Sequence, residues 1–418
     1  MILIHIWYMN EITKQANIQY LKCIIITREQ EEQRTTRIRH EQKNCTNMRT
    51  MQCKDINRLV TIVLLISIIT TTITFAKKVT VSNVKLPKDT FGNTLITGEA
   101  SVLQDVDKYY FYFNDWGSCP GVNCCDTPSG CASCCFKGTK GSCVYTNNHN
   151  IVVYETSDFE TWEYHGIALN ISNRLEGVMF RPHVVYNKKT DRYVMWYEDR
   201  HPGQAGYAIA VSDTPTGPFY TIANSVKMHG QGRSDGSGDF TIFVDDKDSK
   251  AYHVRDGFVI EELSDDYLSG SGNIYTFKTP QSAEGPVFFK GFNGMYYILP
   301  GTDCCSCKGG SSIYVYASKD SPLGPYNYLG DIGQNTSTKN QSDIHNEYRY
   351  ITRAQATAVF KVGNDQLIWI GNQWVTATEP GQPRNHDLIY WHKLEFDDES
   401  NDGKIKQVEY SESINIEV

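Results

Sequence analysis

One structural unit recurs five times between residues 101 and 372. It is a short apolar strand, then a turn rich in Asp, Asn, Gly or Lys, then a second strand full of aromatic residues. Its copies are SVLQDVDKYYFYFND from Ser101, HVVYNKKTDRYVMWYED from His183, FTIFVDDKDSKAYHV from Phe240, VFFKGFNGMYYILPG from Val287 and AVFKVGNDQLIWIGN from Ala358. Each has the turn chemistry that a β-hairpin needs. A third strand follows two of them, YAIAVSDTPTGPF and SIYVYASKDSPLGPY, and these share a Gly-Pro-aromatic ending. Hairpins in a periodic array must dispose of their edges, and blades closed in a ring satisfy all of them. The repeats therefore predict an all-β, five-bladed propeller. The rival is a β-sandwich, which needs about seven strands without this periodic pairing.

Composition agrees with a folded body and narrows the partners. With 21% charged and 40% hydrophobic residues, wholesale disorder, collagen and coiled coil are excluded. The net charge of −8 offers no basic stripe to neutralise phosphates, so nucleic acid is not an expected partner. From Lys77 onward no stretch has a helical period, and the propeller is expected to occupy residues 77–418.

The N-terminal part is different. Residues 59–76, LVTIVLLISIITTTITFA, carry no charge and are flanked by Lys54 and Arg58 before and Lys77 and Lys78 after. The run reads as a secretory signal cleaved near Ala76, or as a signal-anchor that leaves the body on the far side of a membrane. Residues 1–58 are otherwise polar and show no apolar period, consistent with a short extension or a start codon set too early. Secretion is the expectation, with a type II membrane anchor as the alternative.

Thirteen cysteines divide unevenly about that run. Cys23, Cys45 and Cys53 precede it or its basic flank, and the rest lie at 119, 124, 125, 131, 134, 135, 143, 304, 305 and 307. An even number in the exported part suits disulfide pairing in an oxidising compartment. Zinc is the competing reading, although vicinal Cys pairs fit regular CxxC ligand spacing poorly. Most of these cysteines lie in an insertion, residues 117–143, that interrupts the first blade. Three sequons, at Asn170, Asn335 and Asn340, add an expectation of N-glycosylation.

Polar residues recur just where each blade's first strand begins: Glu99, Arg181, Asp239, Glu284 and Gln355. Such residues also cap turns, so no single position decides anything. Glu99, Asp239 and Glu284 converging on one axis would repel one another unless a function maintains them. Carboxylates around a funnel suit glycoside hydrolysis, where one acid protonates the leaving oxygen and one base activates water from the opposite face. Trp116, Trp196, Trp374 and Tyr197 are candidates to stack on sugar faces, with plain core packing as the alternative.

The stretches FRPHVVYNKKTDRYVMWYED (180–199), GDFTIFVDDKDSKAY (238–252), EGPVFFKGFNGMYYI (284–298), SPLGPY (321–326) and QATAVFKVGNDQLIWIGNQW (355–374) resemble glycoside hydrolase family 43. They are similar to the subgroup of exo-acting β-1,3-galactanases in particular. The resemblance implies a five-bladed propeller, single-displacement inverting chemistry and a carbohydrate substrate containing galactose or arabinose. It makes Glu284 the general acid and Asp239 the residue that orients it and tunes its pKa. It places Gln355 near the reacting sugar where a base is expected, and Arg181 against sugar hydroxyls. The family's first-blade Asp has Glu99 as its nearest equivalent here. Galactanase-like members carry Glu immediately before the Arg-Pro, where this chain has Phe180, which becomes a substrate-binding candidate with the tryptophans. No required cofactor is implied. Many relatives hold a calcium ion in the propeller centre near a histidine, which makes His183, His253 and His386 candidates, although each reads more readily as a hydrogen-bonded core histidine than as a ligand. A propeller that binds carbohydrate or protein at its mouth without catalysis remains the alternative.

Overall fold

The computed structural model describes residues 77–116, 149–201, 204–230, 238–279, 282–302, 309–338, 348–374, 376–377, 385–397 and 402–418. The apolar run, the Cys-rich insertion, Cys304, Cys305, Cys307 and Asn340 lie outside the described residues.

Every predicted hairpin forms the two inner strands of one antiparallel blade. Blade 1 is β2 (Ser101–Asp105), β3 (Lys108–Asp115), β4 (Asn150–Thr156) and β5 (Glu163–Leu169). Blade 2 is β6 (Val178–Asn187), β7 (Arg192–His201), β8 (Gln204–Ser212) and β9 (Tyr220–Val226). Blade 3 is β10 (Phe240–Val244), β11 (Ala251–Arg255), β12 (Val259–Leu263) and β13 (Gly270–Thr276). Blade 4 is β14 (Ala283–Lys290), β15 (Tyr296–Thr302), β16 (Tyr314–Ser318) and β17 (Asn327–Asp331). Among the described residues blade 5 has three strands, β18 (Gln355–Val362), β19 (Gln366–Gln373) and β20 (Leu388–Lys393). The repeated Gly-Pro-aromatic ending follows β8 and β16, and the Gly217–Pro218 and Gly324–Pro325 bonds are both cis.

Ring closure explains the composition of the second strands. Each blade packs against a neighbour on both faces, so these strands read as continuous aromatic runs instead of alternating ones. Tyr109 to Phe113 in β3 are all buried. Five separate core clusters fill five seams between blades. Tyr112 and Val153 meet Met195 and Tyr197 between blades 1 and 2, and Tyr207 meets Phe240 and Ile242 between blades 2 and 3. Val254 and Ile260 meet Ile298 and Tyr316 between blades 3 and 4, and Leu299 and Val315 meet Trp369 and Tyr390 between blades 4 and 5. The last seam joins Phe111 and Trp162 of blade 1 to Phe360 and Trp391 of blade 5.

That seam carries a clasp. A strand at the start of the described chain, β1 (Lys78–Ser82), pairs antiparallel with the last one, β21 (Ser413–Glu417), from Lys78↔Glu417 to Ser82↔Ser413. Val79, Val81 and Ile416 enter the same core. Asn83 fixes the clasp to blade 5, because its Nδ2 donates to Trp391 O at 3.1 Å and its Oδ1 accepts Trp391 N–H at 2.7 Å.

The inner strands share a backbone irregularity. At the beginning of each stands a residue in the left-handed region: Glu99 (φ 45°), Arg181 (φ 51°), Gly238 (φ 126°), Gly285 (φ 64°) and Arg353 (φ 50°). Register shifts accompany three of them, between Phe180 and His183, between Glu284 and Val287, and between Ala356 and Ala358. Such bulges re-aim a side chain out of the ladder, and three non-glycine residues held in this strained region mark places where function is to be sought.

Candidate active site

Those irregular strand starts bring five polar side chains into one hydrogen-bonded constellation. Arg181 stands in the middle. Its Nη2 donates to Asp239 Oδ2 at 2.7 Å and its Nη1 to Ala356 O at 2.6 Å. Its backbone N–H donates to Glu99 Oε2 at 3.0 Å, and its Nε lies 3.8 Å from Glu99 Oε1. One residue of blade 2 thus ties blades 1, 3 and 5 together. Burial works against its charge, but Asp239 and Glu99 outweigh that and hold the guanidinium pKa above its usual value.

Gln355 completes the chain on the other side. Its Nε2 donates to Glu284 Oε1 at 2.8 Å and reaches Asp239 Oδ2 at 3.5 Å. Its Oε1 accepts the Trp374 indole N–H at 2.9 Å, which fixes which way the amide faces. Gly285 makes the close approach possible. A Cβ there would stand 2.8 Å from Arg181 Nη2, 3.3 Å from Gln355 Nε2 and 3.4 Å from Asp239 Oδ2.

The carboxylates are too many to be all ionised. Glu99 is buried, and that burial pushes its pKa up to about 8 although Arg181 opposes the shift. Two acids not singled out from the sequence add to the crowd. Asp256, just beyond β11, accepts the Asp239 N–H on Oδ2 at 3.0 Å and returns its own N–H to Asp239 O at 2.9 Å. Burial, reinforced by Asp239 and Glu198, holds its pKa far above the usual carboxylate range. Glu198, in β7, accepts the Gly238 N–H at 3.0 Å and Arg200 Nε at 2.7 Å, and burial raises its pKa too. Asn114 supports Glu99 Oε2 from 3.4 Å. Asp256 sits in the turn Asp256-Gly257-Phe258, which reads as ordinary turn chemistry, and Glu198 lies inside an aromatic strand. Neither position announces its place in the site.

The aromatic candidates separate. Trp374 and Trp116 stack with ring centroids 6.0 Å apart, both essentially inaccessible, and Phe180 packs on Trp116 at 6.3 Å. They stand behind the constellation, with Trp374 holding Gln355 in place. Trp196 does not belong there. It is fully buried in the seam between blades 2 and 3, its Nε1 donating to Tyr267 O at 2.9 Å, so it is core and offers no face to a sugar. Tyr197 is likewise buried in the seam between blades 1 and 2.

Cation binding has a mixed basis. Carboxylate oxygens of Asp239, Asp256 and Glu284 lie within 4.8 Å of one another, but Arg181 and Gln355 already donate into that space. The histidines fit calcium poorly, because that ion takes six to eight oxygens. His253 is boxed by Phe240, Tyr207 and Trp196 at 4.8, 4.7 and 5.3 Å, and His386 Nδ1 meets Leu95 O at 2.9 Å on the blade 1–blade 5 closure. Burial lowers His183 to about 4.

Comparison with known proteins gives this constellation a context. The sequence model of Glycosyl hydrolases family 43 matches residues 132–370, more than half of the chain. The chain belongs to glycosyl hydrolases family 43. No curated protein sequence matches it. Among solved structures it is similar to a family 43 β-1,3-galactosidase determined with galactodeoxynojirimycin, at 22% identity and TM-score 0.59, covering 79% of this chain and 99% of that one. It is also similar to an exo-β-1,3-galactanase from Clostridium thermocellum, at 22% identity and TM-score 0.58, covering 81% and 68%. A third, the exo-β-1,3-galactanase from Phanerochaete chrysosporium with β-1,3-galactotriose, has 19% identity and TM-score 0.57, covering 80% and 67%. The family 43 body is thus a glycoside hydrolase on a five-bladed propeller.

Proposed function

We propose that this glycoside hydrolase releases galactose from a β-1,3-linked galactan or a related glycan by single displacement. What supports the reading is the bridge that Gln355 makes between Glu284 and Asp239, held beside the Arg181 clamp. Glu284 protonates the glycosidic oxygen as the bond from the anomeric carbon breaks. Water attacks that carbon from the opposite face, and Glu99, once ionised, takes its proton. Asp239, already bonded to Arg181, orients the acid through the shared amide. Gln355 is a positioning residue, since an amide whose oxygen already accepts an indole N–H is a poor base. The galactose preference comes from the likeness to a β-1,3-galactosidase and to two exo-β-1,3-galactanases.

Incubation with β-1,3-galactan, with NMR detection of the first anomer released, tests the proposal. α-Galactose appearing before mutarotation is the expected result. β-Galactose appearing first overturns single displacement. Release from aryl xyloside or arabinofuranoside with none from galactosides overturns the sugar.

Export of the body completes the proposal. It is supported by the uncharged run 59–76 and by the sequons at Asn170 and Asn335, both partly exposed. N-terminal sequencing of the product recovered outside the cell is expected to begin near Lys77. An intact chain retained in carbonate-washed membranes establishes the anchor instead.

A further inference from the structure

A recess of mixed polar and apolar lining includes Arg353, two residues upstream of Gln355. It is a cavity of about 340 Å³ whose lining includes Asn335, Tyr348, Tyr350, Arg353, Glu409 and Tyr410. Arg353 is its chemical centre. The guanidinium carbon sits 4.9 Å from the Tyr348 ring centroid and 5.1 Å from that of Tyr410. Two aromatic rings therefore fix the guanidinium without using its N–H donors. Among the described residues those donors meet no hydrogen-bond acceptor, and no carboxylate lies within 4.0 Å of them. Glu409 lines the same cavity yet stands outside that distance, so the positive charge is not cancelled. Arg349 adds a second cation close by, stacked 5.1 Å from the ring centroid of Tyr350.

The backbone of Arg353 is constrained as well. It is held in the left-handed region at φ 50°, and a Cβ on Gly310 would come within 2.1 Å of its carbonyl carbon. A non-glycine residue kept in that region by its surroundings is a mark of function. Arg353 leads into β18 and Asn335 follows β17, so the cavity lies at the end of blades 4 and 5 where β14 and β18 begin, the end that carries Glu284 and Gln355.

We propose that this cavity binds a carboxylate-bearing sugar, a hexuronate unit of the glycan presented to the active site. The planar fork of a preorganised guanidinium matches a carboxylate bidentately. Tyr348 and Tyr410, 55% and 48% exposed, bring aromatic surface to the mouth of the cavity, the kind of surface a pyranose packs on. A phosphate ester carries up to two negative charges against the lining Glu409 where a carboxylate carries one, so the single guanidinium of Arg353 suits the carboxylate better. The inference rests on the reading that the enzyme acts on glycans, and binding is measured separately from hydrolysis so that the two can fail separately.

The test uses the whole propeller protein. Binding of a glucuronate- or galacturonate-containing oligosaccharide, of its neutral galactose counterpart and of inorganic sulfate is measured by calorimetry. Turnover is followed on a neutral aryl β-galactoside. The uronate is expected to bind at least tenfold more tightly than the neutral sugar. Arg353→Gln should weaken uronate binding by about tenfold to hundredfold, the range for a lost hydrogen bond to a charged group. It should leave turnover of the neutral substrate within about twofold. Arg353→Lys keeps the charge but not the fork, and falls between the two. Equal binding of uronate and neutral sugar by an active enzyme overturns the proposal. So does wild-type uronate affinity in an Arg353→Gln protein with an unchanged melting temperature. Sulfate competing as well as uronate makes this a general anion site and overturns the assignment of the ligand. Loss of all galactoside hydrolysis with uronate binding intact sinks the galactosidase reading and leaves the cavity's ligand standing.

Discussion

Arg181 donates its backbone N–H to Glu99 Oε2 at 3.0 Å, and both residues hold left-handed backbone, at φ 51° and 45°. Two strained strand starts on adjacent blades thus support each other. The same Arg181 guanidinium reaches Asp239 and the Ala356 carbonyl, so one cation sets the relative position of four blades where the site is formed. Its removal uncovers several acids at once.

Glu284→Gln should lower turnover of galactan by roughly 10²- to 10⁴-fold, the usual contribution of a positioned general acid. Aryl galactosides with activated leaving groups need less protonation and should lose less. Sugar affinity should be nearly unchanged, because the amide keeps the shape and the neighbouring Gln355. Steady-state kinetics on both substrate classes checks this, and equal losses on the two classes would remove Glu284 from the acid's role.

Arg181→Met should destabilise the fold by about 3–5 kcal/mol, as when one member of a buried ion pair is removed. Asp239 and Glu99 would then face each other across a hole with no cation. Denaturant titration measures the loss, and activity should fall with it. A variant with wild-type stability would mean that the buried acids adjust by taking up protons, which a shift of the pH of maximum stability would reveal.

The ring itself was legible because a propeller writes its hairpins into the chain one after another. Five copies of the unit became the inner strand pairs of five blades. Glu99, Arg181, Asp239, Glu284 and Gln355 could be picked out because each lies at the same point of its repeat. Asp256 and Glu198 could not. Their roles come from contacts across turns and between strands, Asp256 with the Asp239 backbone and Glu198 with Gly238, and no repeat position marks them. Trp196 shows the opposite failure. Its place in an aromatic strand beside the Arg-Pro motif fits both sugar stacking and seam packing, and the direction of a side chain across the pleat decided for the core.

Stability should fall as the pH rises from about 4.5 to about 8, and Glu99 is a principal reason. A carboxyl whose folded pKa is raised favours folding fully below its unfolded value and loses that contribution as the pH climbs through the folded one. Glu99, held up to about 8 mainly by burial, therefore disfavours the folded state progressively across that window. Asp256 and Glu198, both raised, act in the same direction. Melting temperatures of the wild type and of Glu99→Gln across this range test the assignment. The variant should show a flatter profile, and an unchanged slope would place the proton elsewhere. If Glu99 also takes the proton from water, galactan turnover in the wild type should rise over the same range while the fold persists.

Gly285→Ala separates the cost of backbone from the cost of crowding at the site. Gly285 and Gly294 both hold positive φ, 64° and 78°, where an added Cβ costs roughly 1–2 kcal/mol. A Cβ at Gly294 meets nothing within 4 Å, whereas at Gly285 it would meet Arg181 Nη2 at 2.8 Å. Gly294→Ala should therefore show only the backbone cost and retain full turnover. Gly285→Ala should cost more and lower turnover by at least tenfold, because the guanidinium must move away from Asp239 and the acid loses its support. Parallel melting and galactan assays on the two variants measure both effects. Equal turnover in the two would show that Arg181 yields without consequence, and that its hold on Asp239 is structural and not catalytic.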